Sequence, residues 1–151
     1  MNDKNEASYG VIGQRKPRVD GHEKATGRAQ FVADLKMPGC LHGKVMRSPH
    51  PHARILNLDT SRAERLAGVR AVVTHKDAPD VLYGAYNSGI KDELILARER
   101  VRYVGDEVAA VAAIDPEIAQ EALALIQVEY ESLPGYYDVE SAIADGAELI
   151  H

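Results

Sequence analysis

The chain has 151 residues, a formal net charge of −5, 45% hydrophobic and 27% charged residues, which is the composition of a folded soluble domain of ordinary size. The acidic balance excludes nucleic-acid binding that rests on phosphate neutralisation. A single cysteine, Cys40, excludes an internal disulfide, a zinc site built from four cysteines and a self-contained iron–sulfur cluster.

Residues 1–18 are polar and mixed in charge, and read as an N-terminal arm that precedes a folded domain over 19–151. The first eight residues lack the apolar centre of a signal peptide. The longest wholly apolar run, Val108 to Ile114, is far short of the roughly 20 residues that cross a bilayer. A cytoplasmic protein that binds neither membrane nor nucleic acid is therefore expected.

Ala29 to Ala33 reads as a short strand ended by Met37-Pro-Gly39. Leu41 to Arg47 and Ala53 to Leu58 read as extended, interrupted by Ser48-Pro-His-Pro-His52. Two prolines remove ladder donors there, which predicts an edge, bulge or kink rather than a central strand. Ser61-Arg-Ala-Glu64 has capping-box spacing and predicts a helix of about two turns, stopped at Gly68. Val69 to Thr74 is rich in β-branched residues and predicts a strand. Residues 77–93 show no clean period and read as a long loop, either a contact surface or a variable connection.

Arg100 to Val104 alternates, Gly105-Asp106 suits a type II′ hairpin turn, and Glu107 leads into the apolar run 108–114. A run so continuous predicts a strand buried on both faces. Asp115-Pro-Glu117 is a helix start with Asp115 as N-cap, and Ile118, Ala119, Ala122, Leu125 and Ile126 form one apolar stripe. Val128 to Glu131 alternates as a strand, and Asp138 caps a last short helix, Val139 to Ala144, ended by Gly146. The sum is an α+β fold, a mixed sheet with two or three short helices.

Cys40, His42, His50 and His52 are four soft or borderline ligands within a short span, the first place to test for a metal. Their spacing matches no standard zinc motif, and hydrogen bonding or an interface role is the simpler reading. Phosphate-cradling glycine motifs and the G-x-S-x-G elbow are absent, and Ser48 lies too near His50 along one strand for a triad. Arg15, Lys16 and Arg18 read as a solvated basic arm, and Glu129 with Glu131 as the wet side of a strand. Asp106 and Glu107 form no convincing acid pair. No position is assigned a catalytic, cofactor-binding or metal-ligating role.

Three stretches together resemble one family. Val19-Asp-Gly-His-Glu-Lys-Ala-Thr-Gly-Arg-Ala-Gln-Phe-Val-Ala-Asp34 resembles the opening of molybdenum hydroxylase large subunits. Leu41-His-Gly-Lys-Val-Met-Arg-Ser-Pro-His-Pro-His-Ala-Arg-Ile55 resembles their R-S-x-x-x-H-A-R-I segment, and Val101-Arg-Tyr-Val-Gly-Asp-Glu-Val-Ala-Ala-Val-Ala-Ala113 their V-x-Y-x-G-x-x-V-A-x-V-x-A hairpin. The resemblance is to the N-terminal α/β-hammerhead domain of the xanthine dehydrogenase and aldehyde oxidase family, with wording nearest the 4-hydroxybenzoyl-CoA reductase branch. It implies a structural domain of a larger molybdopterin-binding subunit, with the molybdenum cofactor in that full-length subunit and [2Fe–2S] and FAD in the assembly. It implies as partners the remaining domains of the subunit and iron–sulfur and FAD subunits. The cofactor and catalytic motifs of the family lie C-terminal to this stretch, so none carries over. Many relatives have Gln where this chain has Asp106, which implies a charged contact there if that position meets a neighbouring domain. The alternative is an independent binding or assembly module of the same fold.

Overall fold

The computed structural model describes residues 10–84 and 89–151. Residues 85–88 of the stretch 77–93 and residues 1–9 of the arm, both singled out above, lie outside those residues. Two compact units divide at Pro38 and Gly39, whereas composition alone draws its boundary at 18/19.

In the first unit a single helical turn, α1 (Gly21–Ala25), follows Asp20, whose carboxylate pairs with Arg18 and Lys24 at 2.6 Å each. The strand expected over 29–33 does not form. Asp34 accepts from the Phe31 amide at 2.9 Å while its own amide donates to the Phe31 carbonyl, which curls Val32–Asp34 into a 3-10 turn. A local carboxylate–amide bond here outcompetes β propensity. No described residue of this unit is buried.

The second unit carries two sheets. β1 (His42–Arg47), β5 (Glu107–Ala113) and β3 (Val69–Val73) form the first, in the order β1-β5-β3. β4 (Arg100–Val101), β2 (Ala53–Asp59) and β6 (Gln127–Ser132) form the second, in the order β4-β2-β6. The α+β class stands; in place of one mixed sheet there are two, and every pairing between named strands is antiparallel.

α2 (Ser61–Glu64) is one turn rather than two, and its cap is Thr60, not Ser61. Thr60 Oγ1 reaches Glu64 at 2.5 Å, while the Ser61 amide is taken by Asp59 at 2.9 Å, so Ser61 has no capping role. That bond also holds the Asp59 carboxyl below its ordinary range. Gly68 follows with φ +97°, and a Cβ there would sit 2.7 Å from Ile118 Cδ1. Only glycine meets both demands at once.

α3 (Pro116–Leu125) starts as its sequence predicts: Asp115 accepts from the Glu117 amide at 2.7 Å and the Ile118 amide at 3.4 Å. Ala119 and Ala122 are buried on its inner side, and Ala122 closes a core with Ala109 and Val111 of β5, Ala63 and Ile126. α4 (Val139–Ala142) is likewise capped by Asp138, which accepts from the Ser141 amide at 2.7 Å. No helix among the described residues is long and apolar enough to cross a membrane.

Candidate functional site

Two stretches run from one sheet to the other. Ser48 to His52 leads from β1 to β2, and Arg102 to Asp106 leads from β4 to β5. The expected hairpin across Gly105-Asp106 does not form: β4 pairs with β2, whereas β5 pairs with β1 and β3. The turn finds its partner in the other crossing. The Gly105 amide donates to the Ser48 carbonyl at 2.8 Å, and the Ser48 amide donates to the Asp106 carbonyl at 2.9 Å.

Side chains fasten this joint. Ser48 Oγ accepts from the His50 amide at 3.0 Å and contacts its carbonyl at 3.1 Å, folding the two-proline segment back on itself. His52, 1% exposed, places Nδ1 at 2.9 Å from the Pro134 carbonyl, and its own carbonyl accepts from the Leu133 amide at 3.0 Å. Nδ1 donates to the Pro134 carbonyl, and Nε2 is buried without a partner among the described residues. The His50 ring lies 4.8 Å from that of Tyr130.

On the second crossing Asp106, 8% exposed, accepts from the Arg102 amide at 2.9 Å. Burial pushes its carboxyl up, and the nearby Glu107 charge adds to that, against the Arg102 amide. Asp106 is thus engaged inside the joint through the Arg102 amide. Burial also raises the Glu107 carboxyl, but its own amide, the Tyr103 hydroxyl at 3.1 Å and Arg47 at 2.5 Å outweigh it and hold it below the ordinary range. Burial and Glu107 together push the Tyr103 phenol up to about 12.

Chemically, this is a clasp. Ser48, His52 and Asp106 direct polar atoms to backbone groups, and Glu107 to Arg47 and Tyr103. Cys40 is exposed, His42 begins β1, His50 packs at a tilt of 54° against Tyr130 and His52 is buried, so these four residues form no common donor set. Among the described residues no group of three His, Cys, Asp or Glu is placed to hold a metal ion. A cavity of about 430 Å³ runs along β2 past Leu56, Glu64, Lys76 and Arg98. Most of its charges are already engaged: Glu64 by Thr60, Asp77 by Thr74, Arg98 by Asp80.

Sequence reading singles out both crossings as motifs but misses their mutual pairing. The available signal is a proline- or glycine-broken strand in each, since a broken ladder leaves backbone groups that must bond elsewhere.

The family model described as aldehyde oxidase and xanthine dehydrogenase, a/b hammerhead domain, matches residues 26–134, which span both crossings. The chain is 48% identical over 134 residues to one subunit of a probable xanthine dehydrogenase from Bacillus subtilis, covering 89% of this chain and 18% of that one. It is 42% identical over 143 residues to the nicotinate dehydrogenase large molybdopterin subunit of Eubacterium barkeri, covering 95% of this chain and 33% of that one. The crystal structure of the aldehyde oxidoreductase from Desulfovibrio desulfuricans superposes with a TM-score of 0.83 at 32% identity, over 93% of this chain and 17% of that one. The chain therefore spans about a sixth to a third of the length of such relatives, and it belongs to the hammerhead-domain family of the aldehyde oxidases and xanthine dehydrogenases.

Proposed function

We propose that this chain works as the hammerhead domain of a larger molybdenum hydroxylase-type subunit, supporting its molybdopterin-binding domains and an iron–sulfur partner without performing chemistry itself. The carrying observation is a family match over most of the chain that spans only 18% of the Bacillus subtilis relative. The two crossings are bonded to each other through Ser48, Gly105 and Asp106 and braced locally by side chains, an arrangement that suits a scaffold. The molybdenum cofactor, [2Fe–2S] centres and FAD of such an assembly belong to other domains or subunits in this reading, and a cytoplasmic location goes with it. The four residues that could ligate a metal directly, Cys40, His42, His50 and His52, do not converge.

The parent activity in this reading is hydroxylation of the xanthine or aldehyde type, or reduction of 4-hydroxybenzoyl-CoA. An independent binding module is less well supported, since the relatives carry this stretch within far longer subunits. The test is metal and pterin analysis of the purified 151-residue chain, made in cells that supply the cofactor. Molybdenum and pterin are expected at background, and stoichiometric amounts would overturn the scaffold reading.

A further inference from the structure

The apolar run of β5 reads as a strand buried on both faces, yet the described residues bury only part of it. Ala109, Val111 and Ala113 share the face toward α3 and are buried. Val108, on the opposite face, packs on Ala53, Ala97 and Val101. Beyond Val108 that opposite face is only partly covered.

Strand register defines what lies there. Val45 pairs with Ala110 and Gly43 with Ala112 on one side; Val73 pairs with Ala110 and Ala71 with Ala112 on the other. Directly paired residues share a face, so Gly43, Val45, Ala71, Val73, Ala110 and Ala112 form one patch across three strands. All six are apolar. Gly43 and Ala71 are exposed, Val45 is 42% exposed, and none of the six is fully buried. The patch continues the buried packing at Val108 outward, so it is an unfinished core surface rather than scattered exposure.

We infer that this face of the β1-β5-β3 sheet is the seat for another segment of the same large subunit, one presenting large aliphatic or aromatic side chains. The inference rests on the subunit reading above and names the surface it uses. Size selects the occupant. Three strands about 4.8 Å apart and two side-chain layers deep give roughly 100–200 Å². A free-standing dimer needs about 800 Å² a side, so a second copy of this chain cannot be held by this patch. A segment joined covalently to the chain needs far less contact, because the linkage itself supplies a high effective concentration. The relatives carry the necessary extra chain, four-fifths of the Bacillus subtilis subunit lying outside the match. The floor of glycine and alanines is shallow, which suits an occupant bringing the bulk.

The test grafts the 151-residue chain onto the Bacillus subtilis subunit in place of that subunit's matching segment, so that the covalent linkage is kept. Val45→Lys and Ala110→Lys are compared with wild type and with Leu56→Lys, an exposed apolar position on the other sheet, in the graft and in the 151-residue chain alone. In the graft, the junction is expected to be cut by protease about tenfold or more faster in the two face variants than in wild type and Leu56→Lys. Both face variants are expected to melt within a few degrees of wild type when alone. A protected wild-type junction with undiminished protection in the face variants overturns this face while leaving the subunit reading intact. A wild-type junction cut as fast as an unstructured linker overturns the subunit reading and the inference with it. Unfolding of both face variants alone overturns the inference too, because the face would then be covered within the chain.

Discussion

The two faces of one strand teach more than the strand as a whole. On β5, Ala109 and Val111 sit in a closed core with Ala122 of α3, while Ala110 and Ala112 lie on a face that the described residues leave partly open. The residue types hardly differ; the company does. Composition marks what is fit for burial, and only topology says which side this stretch of chain covers by itself.

The sharpest way to break that comparison is one substitution at adjacent positions. Val111→Lys puts an unpaired charge into the core and is expected to lose about 3–5 kcal/mol, enough to unfold a marginal domain, as read by urea denaturation. Ala112→Lys is expected to lose under about 1 kcal/mol in the same chain. Equal losses would mean the second face is covered after all.

Gly68→Ala probes the covered side from its other edge. A positive φ alone disfavours alanine by about 1–2 kcal/mol, and the Cβ must also displace Ile118 of α3. A thermal melt of the variant should show a drop of several degrees.

Asp106 sharpens the comparison through pH. Its carboxyl is pushed up by burial, so the native state holds that proton to a higher pH than the unfolded chain does. The stability it contributes is present below the ordinary value of 3.8 and falls as pH rises through the raised value. Glu107 and Asp59, held low, act oppositely and lose their contribution as pH falls. Asp106→Asn, which keeps an acceptor for the Arg102 amide, is therefore expected to match or exceed wild type in urea midpoint at pH 7, with the margin closing near pH 4. The smallest effect belongs to the exposed Arg54–Glu131 pair: Glu131→Ala should shift stability by less than about 0.5 kcal/mol, and less still in high salt.

Much of the fold is legible in the sequence where chemistry is local. Asp115, Pro116 and Asp138 announce helix starts because their side chains act within three residues. Gly68 announces a turn for the same reason. The errors occur where a short-range bond beats propensity, as at Phe31 and Asp34, or where the partner is distant in sequence. Gly105-Asp106 has the residues of a hairpin turn, yet its backbone partners lie at Ser48. The clasp is legible as two motifs and not as one object, since nothing local in either names the other. His52 shows the same limit: its bond to Pro134 spans 82 positions.

The central place of β5 also sets an order of events. β1 and β3 each pair with β5 and not with each other, so the first sheet has no ladder until residues 107–113 exist. As the chain is synthesised, residues 42–47 and 69–73 must wait as unpaired edges through dozens of later residues. Folding of this sheet is then governed by closure of long loops, a slow step relative to forming α3. A chain truncated just before Glu107 would retain the β1 and β3 segments and both crossings, but no strand to join β1 to β3.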